Sequence, residues 1–230
     1  MNIAATMKTL KDYPKEKNWV TDGAVTYVKD QGECGSCFAF SAVGNMEGVY
    51  KVAHGILPNI SVQQIMNCDN DCTEYMGEKI CDAGCAGGLM SNVMTYAVRE
   101  GMTSWERIPY WAHSSRCNYN KTLTMYTFSG WRAVKGTDED MIAALNDVGP
   151  LSVGVDATVW RFYHSGIFSL VCGKKMNHGV VLVGYGVHNN KEYWLIKNSW
   201  GESWGEKGYI RLIREKDKCG INSFVNTILA

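Results

Sequence analysis

Residues 30–41 read DQGECGSCFAFS, and this stretch decides how the whole chain is interpreted. An apolar segment begins at Cys37 and runs to Gly55, which is a plausible C-terminal stop. Its hydrophobic residues recur at spacings of three and four, as in a helix with one apolar face: Phe38, Ala42, Met46, Val49 and Val52. Cys37 therefore lies at the predicted helix N-terminus, where unpaired amides and the helix dipole stabilise a thiolate.

Two further motifs lie far downstream of this segment. Asn-His-Gly at 177–179 opens an apolar stretch, and KNSWG at 197–201 is followed by Trp-Gly at 204–205. His178 lies 141 residues after Cys37 (178 − 37), and Asn198 lies 161 residues after it (198 − 37). Taken alone, the spacing of Cys34 and Cys37 also fits a redox pair or half of a zinc site.

Together the three segments resemble the active-site motifs of the papain and cathepsin family of cysteine proteases, and the chain is most similar to the cathepsin L and F types. The resemblance covers the chain from about residue 18 to its end. It implies that Cys37 is the nucleophile, that His178 takes its proton and that Asn198 orients the imidazole. Gln31 and the Cys37 amide would form the oxyanion hole.

The resemblance also assigns two aromatic neighbours of this site. Trp200 is expected to shield the His178–Asn198 hydrogen bond from water and to border the substrate site. Phe38 stands where the family normally has tryptophan, and we expect altered packing there, not loss of activity.

The remaining periodicities favour helices in the first half of the chain and strands in the second. A helix is predicted from Ser61, with Gln64 completing a capping box. Further helices are predicted from about 88 to 101 and over 138–147, and strands over 151–155, 179–184, 193–197 and 208–213. This grouping indicates an α+β protein of two lobes with a cleft between them.

The resemblance implies a papain-like arrangement of these elements. A mainly helical lobe would cover 22–131 and an antiparallel, β-barrel-like lobe 132–217, with the termini crossing between lobes. Residues 12–230 would form the peptidase domain, and residues 1–11 a propeptide remnant or an added tail.

Composition narrows the possible partners. Lys and Arg together number 23, as do Asp and Glu, so the net charge of zero argues against nucleic acid or an anionic membrane as partner. No apolar stretch approaches the roughly 20 residues of a membrane helix. Residues 1–8 lack the apolar core of a signal peptide.

Nine cysteines are many for 230 residues and indicate either disulfides in an oxidising compartment or metal binding. The sequons at Asn59 and Asn120 favour secretion. Eight cysteines allow 105 pairings, so the sequence alone leaves the pairing open. The resemblance implies Cys34–Cys85, Cys68–Cys117 and Cys172–Cys219, with Cys72 and Cys81 pairing inside an insertion and Cys37 free. The alternative is a four-thiolate zinc site at Cys68, Cys72, Cys81 and Cys85.

The resemblance further predicts how a peptide substrate binds. Gly87 and Gly88 would hydrogen-bond the extended substrate backbone. The pocket for the second residue before the scissile bond (P2) would contain no acid, which predicts a preference for Leu, Val, Met or Phe. Its expected lining is Leu89, Met90, Gly154, Met176, Gly179 and Phe224.

The resemblance implies a monomeric cysteine endopeptidase without cofactor or metal. Its expected partners are protein and peptide substrates, its own propeptide and cystatin-like inhibitors, in a lysosomal, vacuolar or secreted location. Two alternatives stay open at this stage: a catalytically silent homologue that serves in binding or storage, and a redox or zinc-binding module.

Overall fold

The computed structural model describes residues 9–215 and 217–230, so residues 1–8 of the predicted tail lie outside it. The helices of the described part are α1 Cys37–His54, α2 Val62–Cys68, α3 Met90–Glu100 and α4 Asp138–Asp147. The strands are β1 Lys17–Asn18, β2 Cys72–Tyr75, β3 Glu78–Cys81, β4 Gly130–Ala133, β5 Leu151–Val155, β6 Ile167–Phe168, β7 His178–His188, β8 Lys191–Lys197, β9 Tyr209–Ile213 and β10 Val225–Leu229. None of these helices is both long and apolar enough to cross a membrane.

Helix α1 begins at Cys37 and ends before Gly55, as the sequence predicted. Gly55 takes a left-handed conformation with φ of 76°, which glycine adopts without steric cost. The helix is buried on almost all sides over its first three turns, and only Val52 of its predicted apolar face is exposed. Gly44 lets it approach β7, because a Cβ there would lie 2.6 Å from Cγ2 of Val181. This close packing fixes the helix start against the start of β7.

Helix α2 carries only half of the predicted capping box. The Ser61 hydroxyl accepts a hydrogen bond from the Gln64 amide at 3.1 Å, as expected at an N-cap. The Gln64 side chain does not return the bond. Its Oε1 accepts from the Thr103 amide at 2.8 Å and its Nε2 donates to the Gly101 carbonyl at 3.0 Å. The Gln64 side chain therefore binds the backbone of Gly101 and Thr103, in the segment that follows α3.

The main sheet has the order β4-β10-β5-β7-β8-β9-β6, with β1 added along β7. Its pairs are antiparallel except β6 with β9, which is parallel. The described strands therefore form an open sheet that is antiparallel except at this pair at its edge. Strand β6 has only two residues and no hairpin joins it to β9, so nothing imposes the antiparallel direction.

Two hydrophobic clusters underlie the α+β architecture. One surrounds α1, α2 and α3, and the other lies between the main sheet and α4. Cys37 at the start of α1 and His178 at the start of β7 lie where these two layers meet. The fold therefore presents the two predicted reactive side chains from different layers, along one cleft.

Four disulfides are present, and they are the pairs that the resemblance implied: Cys34–Cys85, Cys68–Cys117, Cys72–Cys81 and Cys172–Cys219. Among the described residues Cys37 is the free thiol. The alternative of a four-thiolate zinc site is wrong for this structure, because all four of its sulfurs are bonded to other sulfurs.

The Cys72–Cys81 disulfide closes a small hairpin, β2–β3, whose base contains a buried carboxyl pair. Asp69 and Asp82 are 5% and 4% exposed. Oδ1 of Asp82 accepts hydrogen bonds from the Leu89 amide at 2.8 Å and the Asn92 side chain at 3.0 Å. Burial, and then the nearby Asp69 carboxyl, raise the pKa of Asp82, and burial raises that of Asp69. The pair therefore holds a proton at pH values where an exposed aspartate has lost it.

This pair makes stability depend on pH. Because the folded state binds more protons than the unfolded state above the ordinary aspartate pKa of about 4, the free energy of unfolding falls as pH rises from there. In Asp82→Asn the side-chain oxygen can still accept the hydrogen bonds from Leu89 and Asn92. The new amide N–H replaces the proton that the carboxyl pair holds. We expect it to raise the free energy of unfolding at pH 8 by about 1–3 kcal/mol, the usual cost of an unpaired buried polar group.

Urea denaturation at pH 5 and pH 8 measures this effect. The matched control is Glu74→Gln on the same hairpin, where the carboxylate is exposed. Parallel pH curves for Asp82→Asn and the unmodified protein would show that the pair does not hold an extra proton.

Candidate active site

The loop before α1 is fixed so that Cys37 begins the helix. The Cys34–Cys85 disulfide joins it to the 84–87 turn, and the Gly35 amide donates to the Cys85 carbonyl at 3.1 Å. A Cβ at Gly35 would lie 2.6 Å from that carbonyl oxygen, so only glycine fits. The Ser36 hydroxyl is hydrogen-bonded to the Tyr110 hydroxyl at 2.6 Å. These contacts explain why Gly-Ser precedes the cysteine.

His178 and Asn198 meet through the sheet, since His178 begins β7 and Asn198 directly follows β8. The imidazole Nε2 and the Asn198 Oδ1 are 2.8 Å apart, and both residues are buried. An amide oxygen can only accept a hydrogen bond, so Nε2 carries the proton that it donates to Asn198, which leaves Nδ1 as the basic nitrogen. The Trp200 ring lies 4.8 Å from the imidazole and covers the pair.

Gln31 is buried and both ends of its amide are held. Its Nε2 donates to the Cys34 carbonyl at 2.9 Å, and its Oε1 accepts from the Ser199 hydroxyl at 2.7 Å. An amide nitrogen carries two hydrogens, so a second N–H is left for another acceptor. Sequence reasoning missed Ser199 and Tyr110, whose hydroxyl donates to the Gln31 carbonyl at 2.8 Å. The only sequence signal for Ser199 was its place inside the KNSWG motif.

A cavity of about 270 Å³ contains both Cys37 and His178. Five of the predicted substrate residues line it directly: Gly87, Gly88, Met90, Met176 and Gly179. Of the other four, Trp200 packs on His178, Leu89 is buried between Gly88 and Met90 in the chain, and Gly154 lies next to both Met176 and Phe224.

Phe38 packs beneath the glycine edge of this cleft. Its side chain is 2% exposed, and a Cβ at Gly88 would lie 2.7 Å from its ring. The phenyl ring therefore supports the edge by direct contact, in the position where the resemblance placed tryptophan.

Comparison with known proteins identifies the family of this chain. A family model described as papain family cysteine protease matches residues 13–229. The chain belongs to the papain family. It is 39% identical over 226 residues to cysteine proteinase 1 of Dictyostelium discoideum, a match that covers 95% of this chain and 66% of that protein. The chain spans 61–66% of the length of this and several plant relatives.

Two solved papain-family structures are similar throughout. Digestive procathepsin L 3 of Tenebrio molitor larval midgut has a TM-score of 0.87 at 34% identity, covering 100% of this chain and 73% of that one. Bromelain from Ananas comosus, solved with the E64 inhibitor, has a TM-score of 0.84 at 35% identity, covering 94% and 99%. The α+β two-lobe fold predicted from sequence is confirmed.

Burial shifts the pKa values of both Cys37 and His178. It raises the pKa of the Cys37 thiol, an effect partly offset by hydrogen bonds from the Gly179, Phe38 and Cys37 amides. Burial lowers the pKa of His178 to about 4, and the bond to Asn198 acts in the opposite direction. Neither group gains a charge easily by itself. A proton transfer from the sulfur to Nδ1 would create both charges together, and their mutual attraction would offset part of the cost of burying them.

The two sequons differ in accessibility. Asn120 is exposed at the start of a short 3₁₀ turn, Lys121–Leu123. Asn59 donates through its side-chain amide to Glu106 at 2.8 Å, and Ser61 of that sequon is fully buried as the cap of α2. Glycosylation stays a prediction at both, and the structure favours Asn120.

Proposed function

We propose that this papain-family chain is a cysteine endopeptidase that hydrolyses peptide bonds through a thioester acyl-enzyme. One observation carries the proposal: the free thiol of Cys37 begins a buried helix in the same cleft as His178, whose Nε2 is held by Asn198 at 2.8 Å. The family relationship and the E64-bound bromelain neighbour support it.

In the first half of the reaction the Cys37 proton passes to Nδ1 of His178, and the sulfur attacks the carbonyl carbon of the scissile bond. The oxygen gains a negative charge, which the Cys37 amide and the second N–H of Gln31 stabilise. The C–N bond then breaks as His178 donates its proton to the leaving amine. In the second half His178 takes a proton from water as the water oxygen attacks the thioester carbonyl carbon. The C–S bond then breaks, the acid product leaves, and the proton returns from His178 to the Cys37 sulfur.

The cleft supports a hydrophobic P2 preference. Met90 and Met176 line it, and the residues proposed for the pocket include no acid. We therefore propose that Leu, Val, Met or Phe is preferred over Arg. Substrates, a propeptide that covers the cleft and cystatin-like inhibitors are the proposed partners of a monomer. The four disulfides support a lysosomal, vacuolar or secreted location.

Labelling by the epoxide E64 tests this function. We expect one equivalent to modify the folded protein at Cys37, as mapped by peptide mass spectrometry. His178→Ala should abolish the modification because the thiolate is no longer generated at neutral pH. A folded protein that resists labelling and cleaves no peptide would instead support the silent homologue.

A further inference from the structure

The β2–β3 hairpin directs one aromatic side chain inward. Its register pairs Tyr75 with Glu78 across a two-residue turn at Met76 and Gly77, both with positive φ. Side chains alternate along a strand, and along β2 the half-buried ones are Thr73 and Tyr75. Tyr75 therefore faces the body of the protein, while neighbouring Met76 is 87% exposed.

The residue that Tyr75 meets is Phe224, beside the substrate cleft. The two rings are perpendicular with centroids 5.1 Å apart, a favoured edge-to-face geometry. The Phe224 carbonyl accepts a hydrogen bond from the Gly154 amide at 2.8 Å. At Gly154 a Cβ would lie 3.3 Å from Cβ of Phe224 and 2.2 Å from Sδ of Met176, which lines the Cys37 cavity. Tyr75 thus packs on Phe224, and Phe224 and Met176 both border Gly154 next to the cleft.

A disulfide, two hydrogen bonds and an ion pair fix the position of the β2–β3 hairpin. The Cys72–Cys81 disulfide joins its two strands. The Asn92 side chain donates to the carbonyls of Asp71 and Ile80, at 3.1 and 3.2 Å. Asp71 also pairs with Arg99 of α3 at 2.7 Å. The base of the hairpin is therefore tied to α3, which begins at the pocket residue Met90.

We propose that Tyr75 is a specificity-determining residue, which closes the outer side of the P2 pocket by packing against Phe224. This inference rests on the proposed peptidase function and deepens it. The Tyr75 ring sets the width of the pocket, so it favours substrates with a branched aliphatic P2 residue such as leucine. Removing the Tyr75 ring opens the pocket to solvent and leaves Phe224 without this packing contact. The change should therefore lower kcat/KM more for a substrate with leucine at P2 than for one with the larger phenylalanine.

The test compares kcat/KM on fluorogenic peptides that differ only at P2, Leu against Phe, with enzyme concentration fixed by E64 titration. Tyr75→Ala should lower the Leu-to-Phe ratio about 2- to 10-fold, the range expected for loss of one aromatic contact. Tyr75→Phe keeps the ring, and Met76→Ala alters an exposed neighbour, so both should keep the ratio of the unmodified protein. Tyr75→Leu should give an intermediate ratio and serves if the alanine variant does not fold.

A cycle with Phe224→Ala separates contact from general damage. If Tyr75 acts through Phe224, the alanine change at Tyr75 should alter the ratio much less once Phe224 is already absent. An equal fall for both substrates, with the ratio unchanged, would overturn the role of Tyr75 while leaving the peptidase intact. Absence of labelling and turnover in the unmodified protein would overturn the proposed function itself.

Discussion

Cys37→Ala and His178→Ala should each lower kcat/KM on a peptide with leucine at P2 by about 10⁴-fold or more, as for nucleophile and base in other triads. The alanine at 37 removes the attacking sulfur. The alanine at 178 leaves a thiol whose pKa burial has raised, so almost no thiolate forms at neutral pH. The double variant should have about the same kcat/KM as Cys37→Ala, because the two groups act as one unit.

The measurement is steady-state hydrolysis with an unfolding scan for each variant. His164→Ala is the matched control, since His164 is exposed and has no place in the cleft. It should retain full activity. If His178→Ala kept more than about a tenth of the activity, the assignment of the base would be wrong, since loss of a true base costs orders of magnitude.

Gln31→Ala should lower kcat by about 10²- to 10³-fold with little change in KM, as loss of one oxyanion-hole donor does. The side chain is already oriented in the free protein, with Nε2 on the Cys34 carbonyl and Oε1 on the Ser199 hydroxyl. Its second N–H is therefore held in position before substrate arrives. Because this N–H is preorganised, removal of a single amide should lower kcat by so large a factor.

Ser199→Ala distinguishes the donor from its support. This change removes the hydroxyl that holds Oε1 but keeps the N–H of Gln31, and we expect a loss of less than about 10-fold, typical of one neutral hydrogen bond. Equal losses in the two variants would mean that Gln31 acts only by holding the loop in place.

Much of the site could be predicted from sequence because it is encoded locally. The Cys37 helix, its Gly55 stop and the KNSWG motif each depend on residues within a few positions of one another, so their signals can be recognised without tertiary context. The resemblance then gave the long-range pairing of His178 with Asn198, which spacing alone leaves open.

The tertiary structure decided what depends on contacts between distant segments. The side chain of Gln64 was predicted to cap its own helix, yet it binds the 101–103 segment because that segment is placed next to it only in the folded chain. The parallel β6 and the short β1 had too few residues to leave a periodic signal.

Cys37 remains the feature that the sequence determined most fully, by its helix position and its motif. The structure added what surrounds it: an amide already oriented by Ser199, a buried imidazole, and a tyrosine from an insertion that packs against Phe224. Tyr75 and Phe224 are more than a hundred positions apart in the sequence, and so are Gln31 and Ser199. Only the packing of the folded chain brings the two residues of each pair together. Local propensity specifies the elements, whereas shape and burial specify which side chains meet.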